Sequence, residues 1–148
     1  MPSLTKSVLL PYPASDMFDL VERVEDYPAF LPWCPSTEVE RIEGGMIATV
    51  GIRFKGIRQS FTTRNAHDRP SSIDMDLVDG PFRRLRGRWQ FHQLAPEACK
   101  VEFTLDYEIA GGILGRALAP VFGQIAATFV DAFVKRAAVL HHKDRGAA

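Results

Sequence analysis

Hydrophobic and polar residues alternate with a period of two along residues 37–109, and turn-forming residues interrupt the alternation at five places. This alternation is typical of strands with one buried face. We therefore predict six consecutive strands in this region. Residues 4–10 have a composition that suits a seventh strand. The connections are too short for parallel crossovers, so the strands should form an antiparallel sheet.

The pattern changes to helical spacing at two places, the first of which follows the first strand. Residues 14–24 carry apolar side chains three and four positions apart, which predicts a short helix. Residues 25–35 contain three prolines and can hold at most one further helical turn. The rest of this segment should be a loop, and the segment carries the aromatic side chains of Tyr27, Phe30 and Trp33.

The second helical region is residues 113–142, which predict one long C-terminal helix. Pro120 should bend this helix or mark a late start. Between residues 117 and 130 only Gln124 and Thr128 are strongly polar. We therefore expect apolar groups around the whole helix, the sheet on one side and a ligand or lid on the other.

No segment has the pattern of a membrane span or a signal peptide. Residues 113–130 resemble a span most, but Arg116, Pro120 and Gln124 interrupt them and Asp131 follows at once. The apolar run at residues 8–10 is too short for a signal-peptide core. We predict a cytoplasmic protein without a transmembrane helix.

These elements predict one α+β domain over residues 1–148, with its core at about residues 4–142. A seven-stranded antiparallel curved sheet should wrap around the C-terminal helix, with two short helices after the first strand. The space between sheet and helix is the predicted pocket for an apolar ligand. The alternative is a filled core in which buried polar groups bond to one another.

The predicted pocket combines apolar walls with a few polar side chains that could orient a ligand, among them Gln59, Thr63, Gln93 and Tyr107. Trp33 and Phe82 lie in predicted loops, where they could either rim an entrance or plug one end of the sheet. The candidate ligand-binding residues are Tyr27, Phe30, Trp33, Phe54, Gln59, Phe61, Met75, Leu77, Phe82, Trp89, Phe91, Phe103, Tyr107, Leu118, Phe122, Ile125, Ala126 and Phe129.

Charge gives the chain no long-range preference for a polyanion, because 18 basic and 18 acidic side chains cancel. The densest basic cluster is in residues 83–88. Antiparallel pairing should place Arg86 near Asp106 and Arg84 near Glu108, with two aspartates on the other neighbouring strand. We favour this neutralised arrangement over a phosphate-binding surface.

A second basic group, in residues 53–64, has no such obvious acidic neighbours. It keeps binding to RNA open, and we predict no DNA partner. The candidate contacts for RNA or another anion are Arg53, Lys55, Arg58, Arg84, Arg86 and Arg88.

The sequence contains no nucleophile elbow, phosphate loop, or paired-cysteine or HExxH metal signature. Cys34 and Cys99 lie far apart, which argues against a disulfide framework and a zinc site and favours a reducing compartment. His67 could act as a base oriented by Asp68, but a surface pair near a turn is the more common arrangement. We predict no catalytic residue, no metal and no required cofactor.

Two motifs resemble those of the coenzyme Q-binding START-like family. Residues 24–34 read VEDYPAFLPWC, and residues 79–91 read DGPFRRLRGRWQF. The resemblance implies a helix-grip fold with a tunnel under the C-terminal helix. It places Tyr27, Pro28, Phe30, Pro32 and Trp33 at one end of that tunnel, and Gly80, Pro81, Phe82 and Trp89 in a second enclosing element.

The same resemblance implies two different functions. Mitochondrial members bind ubiquinone and support respiration, whereas bacterial members are described as ribosome association toxins that bind the large ribosomal subunit. Our first hypothesis is non-enzymatic carriage of ubiquinone or a related isoprenoid lipid, with transient contact to the inner membrane. The second is binding to the large ribosomal subunit, which would block subunit association. The third is a polyketide cyclase or aromatase, because related folds perform that chemistry with only the shape of the pocket and a few polar groups.

Overall fold

The computed structural model describes residues 3–146 of the chain, with side chains up to residue 141. The seven strands are β1 (Ser3–Leu10), β2 (Thr37–Ile42), β3 (Gly45–Phe54), β4 (Ile57–Asp68), β5 (Ser72–Asp79), β6 (Phe82–Ala95) and β7 (Ala98–Ile109). The helices are α1 (Ala14–Glu22), a 3-10 helix (Val24–Ala29) and α2 (Ile113–Gly146).

All seven strands form one antiparallel sheet in the order β1-β7-β6-β5-β4-β3-β2. Strands 2 to 7 pair with their neighbours in the sequence, as the short turns require. β1 pairs with β7, so β1 and β2 are the two edges. The predicted α+β fold with a seven-stranded antiparallel sheet and a long C-terminal helix is confirmed.

The alternation read from the sequence divides the sheet into two faces. Along β6, Leu85, Trp89 and Phe91 are buried, whereas Arg86 and Arg88 between them are exposed. β7 repeats the division, with Val101, Phe103 and Leu105 buried. The buried face of the sheet packs against α1, the 3-10 helix and α2, and this layer is the hydrophobic core.

α2 lies on the inner side of the sheet and buries one stripe of side chains at helical spacing: Leu118, Val121, Phe122, Ile125, Ala126, Val130, Phe133 and Ala137. Its opposite face is exposed and carries Ala117, Pro120, Gln124 and Thr128. The expectation that apolar groups surround the whole helix is therefore wrong within the described chain. The exposed apolar residues in the middle of the helix are mostly alanines, which leave little apolar surface in water.

The helix begins at Ile113 and continues through Pro120, so a late start at the proline is wrong. Residues Ile113–His141 are long and apolar enough to cross a membrane, a property that core helices of folded proteins also have. In this fold Leu118, Phe122 and Phe133 of the segment pack in the core, whereas Ile113, Leu114 and Val139 are exposed.

Candidate functional site

An internal cavity of about 70 Å³ lies between the sheet, the 3-10 helix and α2. Its wall is apolar apart from a few polar side chains. The lining residues are Val24, Tyr27, Trp33, Ala48, Val50, Phe61, Thr63, Asn65, Met75, Leu85, Phe103, Leu105, Phe122, Ile125, Ala126 and Phe129. The lining comes from β3 to β7, the 3-10 helix, α2 and the loop after the 3-10 helix. The cavity therefore exists only once the sheet and α2 have come together.

Half of the predicted ligand-binding residues line this cavity: Tyr27, Trp33, Phe61, Met75, Phe103, Phe122, Ile125, Ala126 and Phe129. Other predicted residues form a layer of rings or apolar contacts behind the lining. Phe82 and Tyr107 contact the ring of Phe122, with centroids 4.8 and 4.9 Å away. Trp89 packs on Phe103 at 4.5 Å, Phe91 packs on Trp89 at 6.1 Å, and Leu118 is fully buried.

Four predicted residues lie away from the cavity. Phe30 lines an outer groove beside α2, and Gln59 lines another groove at the edge of the sheet beside Arg58. Leu77 lines a surface depression with the β6 arginines, and Phe54 is half-buried near the β3–β4 turn. Alternation put Phe54, Gln59 and Leu77 on the inner face, but it could not show how far along a strand the cavity extends.

Trp33 separates the cavity from the outside. It lines both the internal cavity and the outer groove of about 400 Å³ between α2 and the loop that follows the 3-10 helix. Its side chain is buried, with its ring 6.1 Å from that of Phe129. The sequence allowed Trp33 either to rim an entrance or to plug one end of the sheet. In the structure it closes this end of the sheet.

The tip of Met75 is accommodated by a glycine on the neighbouring strand. Gly87 lies opposite Met75 in the β5–β6 register and is buried on the inner face. A Cβ atom added at Gly87 would lie 2.4 Å from the Met75 methyl carbon. The glycine of the second sequence motif thus leaves room for a flexible side chain that forms part of the cavity wall.

Among the polar lining residues, Tyr27 already uses its hydroxyl. The Tyr27 Oη donates a 2.5 Å hydrogen bond to the backbone oxygen of Val21. Burial raises the pKa of Tyr27 well above its usual value, so the phenol stays neutral in the folded protein. This bond ties the 3-10 helix to α1, which is a structural role.

Thr63 and Asn65 form a buried polar pair on the inner face of β4. The Thr63 hydroxyl donates a 2.7 Å hydrogen bond to Asn65 Oδ1. Thr63 is 5% exposed and Asn65 is 4% exposed, and both line the cavity. We predicted Thr63 but not Asn65. The same alternation places residue 65 two positions after residue 63, so the signal was present in the sequence.

The outer face of the sheet carries the arginine row of β6, and its register is the predicted one. Arg84 lies opposite Glu108 and Arg86 opposite Asp106. Arg86 Nε is 3.0 Å from Asp76 Oδ1, and Arg88 Nε is 3.3 Å from Asp74 Oδ1. The row is neutralised by its neighbours, as expected from the sequence.

The β3–β4 hairpin has a different charge arrangement. Its two-residue turn, Lys55 and Gly56, has positive φ at both positions, which is the geometry of a type I′ turn and fixes the register of the hairpin. Arg53 and Arg58 consequently lie directly opposite each other, both exposed. Neither forms an ion pair with any residue of the described chain. Lys55 Nζ lies 3.4 Å from Gln124 Oε1 of α2.

The side chains that could perform other chemistry are dispersed or buried. His67 packs edge-on against Phe18, and burial lowers its pKa. Cys34 and Cys99 are buried free thiols whose pKa values burial raises. In the described part of the chain, no three His, Cys, Asp or Glu side chains gather where they could hold a metal ion.

The sheet, the long helix packed on its inner face and the cavity between them define a helix-grip protein of the START and Bet v 1 type. The family model described as polyketide cyclase/dehydrase and lipid transport matches residues 10–134, and the chain belongs to this family. The aromatase/cyclase Zhui from Streptomyces sp. R1128 has this fold, with a TM-score of 0.79, 17% identity and 93% coverage of each chain.

Two relatives of this chain are named for different functions. The ribosome association toxin RatA of Pseudomonas aeruginosa is 45% identical over 139 residues, which cover 93% of this chain and 96% of that protein. The mitochondrial coenzyme Q-binding protein coq10 of Schizosaccharomyces pombe is 27% identical over 143 residues, with 91% and 86% coverage. The similarity to the ribosome association toxin is thus considerably higher.

Proposed function

We propose that this protein is a cytoplasmic binding protein, rather than an enzyme, that associates with a ribosomal subunit. Support comes from the 45% identity to a ribosome association toxin over nearly the full length of both chains. From the sequence alone, ubiquinone carriage was the first hypothesis. The higher similarity to the toxin now favours ribosome association as the primary function, with the large subunit as the partner.

The observation that carries this proposal is the pair Arg53 and Arg58. Like charges directly opposite each other on neighbouring strands are destabilising. Elsewhere on the sheet an arginine lies opposite an aspartate, as Arg86 lies opposite Asp76. The pair at the β3–β4 hairpin has no ion-pair partner in the described chain. A surface that retains unpaired positive charge suits the phosphate backbone of ribosomal RNA.

The groove next to this pair extends the proposed contact surface. It has a volume of about 490 Å³ and is lined by Arg53, Arg58, Gln59 and Ser60, among others. Two guanidinium groups beside hydroxyl and amide side chains can bind phosphate and ribose oxygens together. Lys55, exposed in the adjoining turn, adds a third positive charge to the same end of the hairpin.

A charge-matched pair of double variants tests the proposal. Arg53→Gln with Arg58→Gln removes two charges from the hairpin, and Arg86→Gln with Arg88→Gln removes two from the neutralised row. Co-sedimentation with purified ribosomal subunits is measured at several salt concentrations. We expect the hairpin variant to bind at least tenfold more weakly. The plot of log affinity against log salt concentration should also become less steep, by about 1–2 in the magnitude of its slope.

The control variant should bind like the wild type at each salt concentration. Equal weakening by both variants would mean that net charge alone determines binding, and unchanged binding by the hairpin variant would exclude this surface. Either result contradicts the proposed contact.

A second function is favoured by the cavity. We propose that it receives part of a hydrophobic ligand, such as a quinone or another isoprenoid lipid, because its wall is apolar and the family description includes lipid transport. Its 70 Å³ is about half of the roughly 150 Å³ that holds benzene in an engineered cavity. Entry of a ring must therefore displace wall side chains, of which Met75 is the most adaptable.

Native mass spectrometry of protein purified from quinone-producing cells, followed by lipid extraction, tests this second function. A stoichiometric isoprenoid lipid would support it. Protein that is reproducibly empty and does not take up added quinone would contradict it.

A further inference from the structure

Asn65 stands on the inner face of β4, between two methionines. The sheet register places it opposite Met46 on β3 and opposite Met75 on β5. Polar side chains are rare in such a position, because an amide taken out of water loses its hydrogen bonds unless it finds new partners. The Asn65 amide has an acceptor, Oδ1, and a donor, Nδ2, and each needs a partner of its own.

The oxygen of the Asn65 amide is satisfied. It accepts the 2.7 Å hydrogen bond from the Thr63 hydroxyl, and both residues lie on the same strand two positions apart. This bond orients the amide, because Thr63 can donate to the oxygen only while Nδ2 points away from it. Thr63 thus serves as a positioning residue for Asn65.

The nitrogen of the Asn65 amide has no hydrogen-bond partner anywhere in the described chain. It carries two N–H groups in a side chain that is only 4% exposed and that lines the cavity. Among the other polar lining groups, the Tyr27 hydroxyl donates to Val21 and the Thr63 hydroxyl donates to Asn65. The Asn65 amide is thus an unused donor within an apolar cavity.

We infer that Asn65 donates a hydrogen bond to a carbonyl oxygen of an apolar ligand bound in this cavity, with Thr63 holding the amide in the donating orientation. The inference rests on the proposed ligand-binding function and defines its chemistry. The ligand has an acceptor oxygen attached to an otherwise apolar ring or chain. A hydroxyl oxygen in its place could also accept from Nδ2, but its own O–H would then need a second acceptor in a largely apolar wall, so a carbonyl suits the site better.

Two small probes that differ in their carbonyl groups test the inference. 2-Methyl-1,4-naphthoquinone has ring carbonyls, and 2-methylnaphthalene has the same rings without oxygen. Affinities are measured by NMR titration of the full chain, with the side-chain NH₂ resonances of Asn65 as a direct reporter. We expect the quinone to bind about tenfold more tightly, a difference that corresponds to one buried hydrogen bond. We also expect it to shift the Asn65 NH₂ resonances.

The variant Asn65→Leu removes the donor at similar size, and Thr63→Val removes the group that orients it. In Asn65→Leu the preference for the quinone should disappear while naphthalene binding is kept or improved, because the new side chain is apolar. In Thr63→Val the amide can rotate, so the preference should fall only in part. Far-UV circular dichroism and melting confirm that both variants fold.

Three results would overturn the inference. Equal affinity for both probes in the wild type would mean that the amide makes no contact with the ligand. A quinone preference that survives Asn65→Leu would assign it to another group. Binding of neither probe would remove the inference together with the ligand-binding function, whereas the first two results leave that function standing. Association with ribosomal subunits is a separate measurement that none of these results affects.

Discussion

The side chain of Gln93, near the end of β6, caps the first helix through the backbone of Ala14. Gln93 Oε1 accepts a 2.7 Å hydrogen bond from the Ala14 N–H, although 79 residues separate the two in the sequence. Residue 13, which precedes the helix, is a proline and offers no side-chain cap. Gln93 Nε2 donates to the backbone oxygens of Ala95 and Pro96, so the side chain is held in place. A residue that the sequence suggested for ligand orientation is thus a helix cap.

We expect Gln93→Leu to lower the free energy of unfolding by about 1 kcal/mol, because it removes the acceptor for an N-terminal N–H of α1. Gln90→Leu is a suitable control on the same strand, since Gln90 makes no side-chain hydrogen bond within the described residues. Chemical denaturation of the two variants gives the comparison. Equal stability would show that the cap contributes nothing.

Gln93 also shows what could be predicted from the sequence and what could not. The period-two alternation depends only on neighbouring residues, so it correctly predicted six of the seven strands and the face to which most of their side chains point, whereas the first strand was predicted from composition. The register that places Arg86 opposite Asp106 and Arg84 opposite Glu108 followed from strand order and turn position. The partner of Gln93 depends instead on where α1 docks against β6, and no local pattern contains that information.

The cavity was predictable to a similar extent. Alternation and helical spacing identified wall residues on the sheet and on α2, such as Phe103 and Phe129. They could not separate lining residues from those one layer behind, such as Trp89, because this difference depends on the depth to which α2 packs. Asn65 was not predicted, although its position two residues after Thr63 in the alternation was clear.

Gly80, in the turn between β5 and β6, has a backbone conformation that favours glycine. Its φ is +146°, and an added Cβ would lie 2.7 Å from Phe61 Cβ. We expect Gly80→Ala to destabilise the protein by about 1–3 kcal/mol, through unfavourable backbone geometry and the clash. Gly56→Ala is the control, because φ is +81° there and no atom lies within 4 Å of the added carbon. Thermal melting should show the larger loss for Gly80→Ala.

His67 should make stability depend on pH on the acidic side. Burial lowers its pKa in the folded state, with Glu22 opposing and Arg41 adding to the shift. The unfolded chain therefore takes up a proton before the folded one as the pH falls. The contribution of His67 is complete above the unfolded pKa of about 6.5 and is lost as the pH falls towards the folded value.

We expect the unfolding free energy to decrease between about pH 7 and pH 5, and His67→Phe to make that decrease smaller. The phenyl ring keeps the contact with Phe18 and cannot titrate. Urea denaturation of the wild type and His67→Phe across this range gives the comparison, and parallel profiles would contradict the prediction.

Tyr27 should have the corresponding effect at alkaline pH. Its pKa is raised in the folded state, so the unfolded chain loses the proton first as the pH rises. The stability that Tyr27 contributes is present below the unfolded pKa of about 10 and is lost above it, by at most about 1.4 kcal/mol per pH unit. Tyr27→Phe should flatten this part of the profile and, near neutral pH, cost about 1 kcal/mol for the lost bond to Val21. If the unfolding free energy of the variant decreased with pH as steeply as that of the wild type above this pKa, Tyr27 would be excluded as the cause.

Filling the cavity separates its structural role from its ligand-binding role. Ala126 is buried and lines the cavity, whereas its neighbour Ala127 is exposed on the other side of α2. In Ala126→Leu the added carbons enter the cavity, where burial gains about 0.8 kcal/mol per methylene group and steric strain offsets part of it. We expect a free energy of unfolding within about 2 kcal/mol of the wild type, with loss of quinone uptake measured by native mass spectrometry. Ala127→Leu places the same side chain in solvent and should leave uptake unchanged. A folded Ala126→Leu protein that still takes up quinone would show that the ligand binds elsewhere, with the outer groove beside Trp33 as the next surface to test.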